Sequence, residues 1–196
     1  MNDKKITCLA CGVFRMELDA LMRQGRLDCD LIALDSMLHM KPANLEQKMV
    51  RVIAARQDDK FLILYGDCHP RMHEMQEGEN ATKVSGINCC EILLGRDIYR
   101  KLQKEQAFIF LPEWTLRWHD VFTRELGFEK PDVAQAFMRD HCKRLVYVDT
   151  GVIPVPDATL GEISGFFNMP VEVLRTSLDF LLQGITIALR KFMGTD

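Results

Sequence analysis

The segment FLILYGDCH, residues 61–69, is the stretch that decides the expected fold. Its first five residues are apolar on both alternating faces, which is typical of a parallel strand buried between two layers of helices. Glycine, an acid, a thiol and an imidazole follow directly where this strand ends. Because ligands of open parallel sheets bind beyond the carboxyl ends of the strands, the segment predicts an α/β fold with functional groups at that edge.

Four other short apolar segments have the same character, and segments with a 3.6-residue apolar period separate them. This alternation predicts right-handed βαβ crossovers. We therefore expect an α/β fold with an open, mainly parallel sheet of four to five strands and helices on both faces, a Rossmann-like three-layer sandwich. The predicted strands are residues 6–10, 30–34, 61–65, 108–111 and 145–148, and the predicted helices are residues 16–24, 43–56, 90–104, 115–126 and 131–141.

The domain organisation is expected to be simple, since no composition shift marks a linker between domains. The sequence predicts one α/β domain over residues 1–196, with a helical C-terminal extension from about residue 158. An apolar stripe that runs from Leu174 to Phe192 favours a helix packed back on the domain. A homodimer interface formed by this helix is the alternative.

The composition limits the classes of function. The net charge of −3 and the pI of about 6.0 provide no basic field for nucleic acid or for an anionic membrane surface. No signal peptide and no apolar run of membrane-spanning length are visible, which predicts a cytoplasmic protein. Phosphate-binding glycine loops and the serine-hydrolase elbow are also missing. In a reducing compartment, the seven cysteines are buried thiols, metal ligands or nucleophiles rather than disulfides.

Three cysteines stand where they could share one site. Cys11 follows the first predicted strand and Cys68 the third, and these strands are neighbours in the common 2-1-3-4 order, about 4.8 Å apart. Cys89 and Cys90 open a helix, whose N-terminus is expected to lower a thiol pKa. One of that pair is a candidate third ligand, and the other is expected to face the core.

The remaining cysteines are expected to be structural. Cys8 and Cys11 form a C-x-x-C motif, but residues three apart on a strand point to opposite faces. Cys8 is therefore interpreted as a small buried side chain. Cys29 and Cys142 precede strands and lie at the wrong edge of the sheet for the site.

Other candidate site residues follow from the same argument about strand ends. His39 and Glu113 are the candidate acid–base groups, and His39 is also a candidate metal ligand. We expect one crevice in which these groups meet the thiols, with Glu113 and Trp114 on its wall. The groups expected to contact a bound cofactor are Gly12, Gly66, Asp67 and Trp114.

The ordered motifs ACGVFRMEL, LHMKP, LYGDC, GINCCEILLG and FLPEWTLRW resemble those of the uncharacterised family called domain of unknown function 1638. The resemblance runs from about residue 8 to about residue 184. It selects Cys89 over Cys90. His69 stands where the family has Gly, and Asn88 stands where it has His, so coordination here could differ from the family's. The positions that the family pattern picks out are Cys11, Glu17, His39, Cys68, Cys89 and Glu91.

The resemblance implies no established reaction. Because the family occurs beside corrinoid-dependent methyltransferase systems, it implies a role near methyl transfer or the handling of corrinoid and metal. The leading hypothesis is a metal-binding protein with Cys11, Cys68 and Cys89 as ligands of zinc or of a [4Fe–4S] cluster, completed by His39 or an exogenous group. One alternative is an accessory protein, without chemistry of its own, that binds a corrinoid protein or methyltransferase. A third is a metal-free enzyme with Cys68 as nucleophile beside His39 or His69.

Overall fold

The computed structural model describes residues 6–72, 74 and 80–194. The chain forms two compact units. The first unit comprises Met1–Gly95 together with Leu178–Asp196, and the second comprises Arg96–Ser177. Each unit contains its own parallel sheet.

The sheet of the first unit has four parallel strands in the order β2-β1-β3-β4. The predicted 2-1-3 neighbourhood of the first three strands is therefore confirmed. Strand order reverses between β1 and β3, which is where open α/β sheets bind ligands. The strands are β1 Ile6–Cys11, β2 Asp30–Leu34, β3 Lys60–Leu64 and β4 Ala81–Lys83, and the helices are α1 Arg15–Arg23, α2 Pro42–Ala54, α3 Cys89–Leu94 and α8 Asp179–Met193, with 3₁₀ turns at Gly12–Phe14 and Ser36–Met40.

The two central strands of this sheet hold the core of the first unit. From Cys8 to Cys11, and from Phe61 to Leu64, every side chain is buried. Because both faces of these strands are buried, their sequences are continuous apolar runs and do not alternate between apolar and polar residues. Cys11, which ends β1, and the polar loop that follows β3 lie at the carboxyl edge of this sheet.

The second unit has three parallel strands in the order β5-β6-β7. Its core contains a cluster of aromatic rings, in which Phe110 and Phe122 have centroids 5.5 Å apart and Phe122 and Phe167 have centroids 5.2 Å apart. The strands are β5 Ala107–Phe110, β6 Arg144–Asp149 and β7 Val171–Arg175, and the helices are α4 Arg96–Lys104, α5 Pro112–Leu116, α6 Pro131–His141 and α7 Asp157–Phe167, with a π-helical segment at Asp120–Glu125.

The predicted α/β class with parallel strands is confirmed, but the strands form two sheets of four and three rather than one sheet. Two strands were not predicted. β4 has only three residues, ATK, two of them polar. β7, VEVLR, lies in the region predicted as helices alone, and that prediction is wrong there. It is an edge strand in which no side chain is fully buried, so its five residues lack the continuous apolar run by which the buried strands were recognised.

The C-terminal helix α8 packs within the first unit, against α3, β3 and β4. Leu181 and Ile185 are buried on its inner face, so packing of the apolar stripe against the protein is confirmed. The homodimer and the single-domain organisation stay predictions. In the part of the chain that the structure describes, no helix has both the length and the apolar character needed to cross a membrane.

Candidate functional site

Three thiols from distant parts of the chain meet beside β1 and β3. Cys11 is the last residue of β1, Cys68 lies four residues beyond the end of β3, and Cys89 is the first residue of α3. The side chain of Cys89 makes hydrogen bonds to those of both Cys11 and Cys68. Cys11 is buried, whereas Cys68 and Cys89 are half-buried. The structure thus brings together the three cysteines that the sequence selected.

Glycine allows these segments to approach each other. A Cβ atom on Gly66 would lie 2.3 Å from Asn88 Cα and 2.7 Å from the carbonyl oxygen of Ile87. A Cβ atom on Gly12 would lie 2.7 Å from the carbonyl oxygen of Leu34. Both glycines therefore make room for neighbouring backbone. The ligand contact expected of them stays a prediction.

The start of helix α3 is held by two reciprocal hydrogen bonds. The side-chain oxygen of Asn88 accepts a bond from the Glu91 N–H at 2.9 Å, and the Glu91 carboxylate accepts one from the Ile87 N–H at 2.9 Å. This arrangement is a close relative of the capping box. The Asp67 N–H also donates to the Ile87 carbonyl at 2.9 Å, which fixes the loop carrying Cys68 to the one preceding Cys89. Glu91 and Asn88 thereby position a thiol.

A buried lysine, which was not predicted from the sequence, lies in the surroundings of Cys68. The side chain of Lys83, the last residue of β4, is only 4% exposed. Its ammonium group donates to the carbonyl oxygens of Val84 at 3.2 Å and Gly86 at 3.3 Å, and lies 3.0 Å from the Asp67 carboxylate. The same positive charge favours the thiolate of Cys68. Asp67, predicted as a cofactor contact, serves here as the partner of Lys83.

The three thiols are electrostatically unequal. The pKa of Cys68 is lowered, first because its sulfur accepts a hydrogen bond from Cys89, and further by Lys83 and the Gly66 N–H, against the opposing effect of burial. The pKa of Cys89 is raised, first by the hydrogen bonding of its thiol with Cys11 and Cys68 and then by burial of its sulfur. The expectation that the helix N-terminus lowers the pKa of Cys89 is therefore wrong. Two neighbouring sulfurs outweigh the field of a six-residue helix.

The other thiols occupy separate surroundings. The Cys8 thiol, on β1, hydrogen-bonds to Cys29, which raises the pKa of Cys8 and lowers that of Cys29. Cys8 and Cys11 thus have different partners, as expected for side chains on opposite faces of a strand. Burial raises the pKa of Cys90 to about 12 and raises that of Cys142.

The histidines near the site have opposite tautomers. The Nδ1 atom of His39 lies 2.5 Å from the Ser36 carbonyl oxygen, so Nδ1 carries the proton and Nε2 carries the lone pair. In His69, Nδ1 instead accepts a bond from the Arg71 N–H at 2.9 Å, which places the proton of the neutral ring on the buried Nε2. Contact of His39 with the thiols stays a prediction.

Glu113 and Trp114 belong to the second unit, in the first turn of α5. The Glu113 carboxylate forms an ion pair of 2.7 Å with Arg117 on the next turn. The part of Glu113 as an acid–base group stays a prediction. Their place on the wall of the crevice stays a prediction. Glu17, which the family pattern picks out, is fully buried on α1.

Removing the charge of Lys83 is expected to make Cys68 less reactive at neutral pH. Because Lys83 favours the thiolate, the wild-type thiol ionises at a lower pH than an ordinary cysteine, and Lys83→Met should shift its ionisation to higher pH. The pH profile of Cys68 alkylation by iodoacetamide in the metal-free protein, read by peptide mass spectrometry, measures this shift. Lys60→Met, at the opposite end of β3, is the matched control. An unchanged profile in Lys83→Met would show that the lysine does not act on Cys68.

The chain matches the model of one protein family, described as protein of unknown function (DUF1638), over residues 33–185. The match covers well over half of the chain, so the protein belongs to this family. It begins beyond Cys11, while His39, Cys68 and Cys89 fall inside it. No curated protein and no solved structure matches the chain significantly.

Proposed function

We propose that the protein binds a metal centre through Cys11, Cys68 and Cys89. The observation that carries this proposal is the hydrogen bonding of one thiol, Cys89, to the other two. These cysteines come from three separate segments of the chain: the end of β1, the loop after β3 and the start of α3. A set of thiols held together in this way is a typical metal site of an intracellular α/β protein.

The spacing of hydrogen-bonded thiols is close to that of zinc ligands. Two sulfurs bound tetrahedrally about 2.3 Å from one zinc ion lie about 3.8 Å apart. Within the described ranges 6–72, 74 and 80–194, no group of three or more His, Cys, Asp or Glu side chains has the geometry to hold a metal ion as it stands. Metal binding would displace the thiol protons and draw the three sulfurs together from this arrangement.

Charge in the site also supports a metal. Three thiolates in a partly buried place repel each other, and a divalent cation offsets that repulsion. Lys83 already contributes one positive charge beside Cys68. The raised pKa of Cys89 means that its proton stays in the free protein and leaves only when a cation replaces it.

The fourth ligand would be His39 or an exogenous group. The bond from His39 Nδ1 to the Ser36 carbonyl is the outer-shell arrangement that orients most metal-bound histidines. A zinc ion at this place would supply Lewis acidity to activate a thiol or methyl group, and a [4Fe–4S] cluster would supply an iron open to a substrate. We propose a role beside corrinoid-dependent methyl transfer or metal handling, with a corrinoid protein or a methyltransferase as partner, in the cytoplasm.

Protein purified without oxygen is expected to contain about one metal centre per chain. Elemental analysis gives the metal and its amount, and the absorption spectrum distinguishes a brown iron–sulfur cluster from colourless zinc. Protein that is folded but binds neither zinc nor iron, even after reconstitution, would refute the proposal.

A second candidate function is a metal-free enzyme with Cys68 as nucleophile. The lowered pKa of Cys68 favours this function, because a thiolate is the reactive form; the hydrogen bond from Cys89, the charge of Lys83 and the Gly66 N–H lower it. Alkylation separates the two functions: a metal centre protects all three thiols from iodoacetamide, whereas a nucleophile leaves Cys68 the most reactive thiol of the folded protein.

A further inference from the structure

Cys8 and Cys29 form a second pair of thiols in the first unit, separate from the three cysteines of the candidate site. Thr7 on β1 and Asp30 on β2 lie opposite each other in the ladder. Cys8 directly follows the first of these residues, and Cys29 directly precedes the second. Because successive side chains of a strand point to opposite faces, this register places both cysteines on the same face of the sheet. The hydrogen bond between their thiols agrees with that placement.

The sheet holds the two cysteines unequally. Cys8 lies within β1, which pairs with a strand on each side, whereas Cys29 lies in the loop just before β2 begins. If β2 continued to Cys29, the two Cα atoms would be about 8 Å apart, given a strand spacing of about 4.8 Å and a rise of about 3.3 Å per residue. A disulfide requires about 4.4–6.8 Å. A shift of the loop residue by somewhat more than about 1 Å would therefore bring the pair within bonding geometry.

The two thiols also differ in their access and their charge. Cys29 is half-buried, whereas Cys8 is fully buried. The pKa of Cys29 is lowered, first by the hydrogen bond from the Cys8 thiol and further by one from the Cys8 N–H, against the effects of burial and of Asp28. The same thiol contact and burial raise the pKa of Cys8. Because oxidants react with thiolates, Cys29 has the surroundings of the thiol that reacts first.

We propose that Cys8 and Cys29 are a site of reversible oxidation, at which a hydroperoxide converts the two thiols into a disulfide. The Cys29 thiolate attacks the peroxide, the O–O bond breaks, and an alcohol or water leaves after taking up a proton, so Cys29 becomes a sulfenic acid. The sulfur of Cys8 then attacks the sulfur of Cys29. The S–O bond breaks, and the hydroxyl leaves as water with the proton of the Cys8 thiol. An external dithiol reverses the reaction. The pair shares no thiol with the proposed metal centre, so this site does not depend on it.

Peptide mapping of oxidised protein tests the proposal. Reduced wild-type protein would be treated with increasing amounts of hydrogen peroxide, its remaining thiols blocked with N-ethylmaleimide, and the chain digested with trypsin. Residues 6–15 form one tryptic peptide that contains both Cys8 and Cys11, so tandem mass spectrometry assigns the link to one of them. A link from Cys8 to Cys29 is expected, and dithiothreitol should remove it. Cys142, another half-buried thiol, is the internal control and should stay reduced at the same dose, because burial raises its pKa.

Two variants separate the parts of the two thiols. In Cys8→Ser, the sulfenic acid of Cys29 lacks its thiol partner and should be trapped by dimedone, a reagent for sulfenic acids. In Cys29→Ser, Cys8 should stay reduced, because it is fully buried and its raised pKa keeps it protonated. Cys29 lies outside the strands, so this second variant leaves the core of the sheet unchanged.

Three results would overturn the inference. Cys29 of the wild type could stay reduced at doses that oxidise Cys142, or it could stop at the sulfenic acid. The link to Cys8 could also form only in urea, and it would then not reflect the folded arrangement of β1 and β2. Each of these results is independent of the metal content of the protein, so the oxidation site and the proposed metal centre stand or fall separately.

Discussion

Replacing Cys89 by Ser is expected to abolish metal binding. Metal affinity should fall by more than about 100-fold, since loss of even an outer-shell partner of a ligand costs about 10- to 100-fold. Cys89 is the thiol that joins Cys11 to Cys68, so its loss removes a ligand and also separates the other two. Cys11→Ser and Cys68→Ser should release the metal as well. The measurement is metal content per chain after gel filtration against a weak chelator.

The chain contains matched controls for each of these variants. Cys90→Ala alters the neighbour of Cys89 on α3 and should keep the metal, because the Cys90 thiol is buried apart from the other three. Cys8→Ala, Cys29→Ala and Cys142→Ala should also keep it. Equal loss of metal from the Cys8 and Cys11 variants would instead indicate a C-x-x-C site, and would contradict the separate partners of these two thiols.

The buried strands could be predicted from the sequence because the apolar residues that identify each of them are consecutive in the chain. β1 and β3 are continuous apolar runs that end in polar residues, and no tertiary information is needed to recognise them. β4 and β7 lie at the edges of their sheets, with one neighbour each. Their sequences, ATK and VEVLR, are short and partly polar, and only pairing with a neighbouring strand makes them β structure. The division into two sheets depends on that pairing and was therefore not foreseen.

The part of the candidate site that follows these buried strands was also predictable. Cys11 and Cys68 follow recognisable strands, so the topology alone brings them to one edge. Lys83 could not be found, because it ends β4, a strand that the sequence does not reveal. The direction of the pKa shift at Cys89 also could not be predicted from the sequence. It depends on which thiol donates to which, and this is decided by tertiary contacts between three loops.

Gly66 shows how a residue without a side chain can decide this geometry. From the sequence, Gly66 was expected to contact a bound cofactor. The structure shows the close approach of its own chain at Ile87 and Asn88. Since Asn88 caps the helix that begins with Cys89, the space beside Gly66 sets the separation of Cys68 and Cys89.

Gly66→Ala is accordingly expected to cost about 3 kcal/mol or more of the free energy of unfolding. Its Cβ would lie 2.3 Å from Asn88 Cα, and both other near atoms, the Ile87 carbonyl oxygen and the Asn88 nitrogen, are also backbone. Backbone cannot rotate away as a side chain does, so the penalty should reach or exceed the upper end of the 1–3 kcal/mol usual for overpacking. At about 2–4 °C per kcal/mol for a chain of this size, the melting temperature should fall by about 6–12 °C.

The same change should also weaken metal binding, because the segment that precedes Cys89 must move away from Cys68. Gly161→Ala is the matched control, since nothing lies within 4 Å of the Cβ that it would add on α7. Alanine is the better helix former, so this variant should melt at or slightly above the wild-type temperature and bind metal as wild type does. Calorimetry and cobalt titration of the two variants measure both effects. If Gly66→Ala melted like Gly161→Ala, the close approach of residues 66 and 88 would be wrong. If Gly66→Ala melted early but bound cobalt with wild-type affinity, the contact would exist without setting the spacing of the thiols.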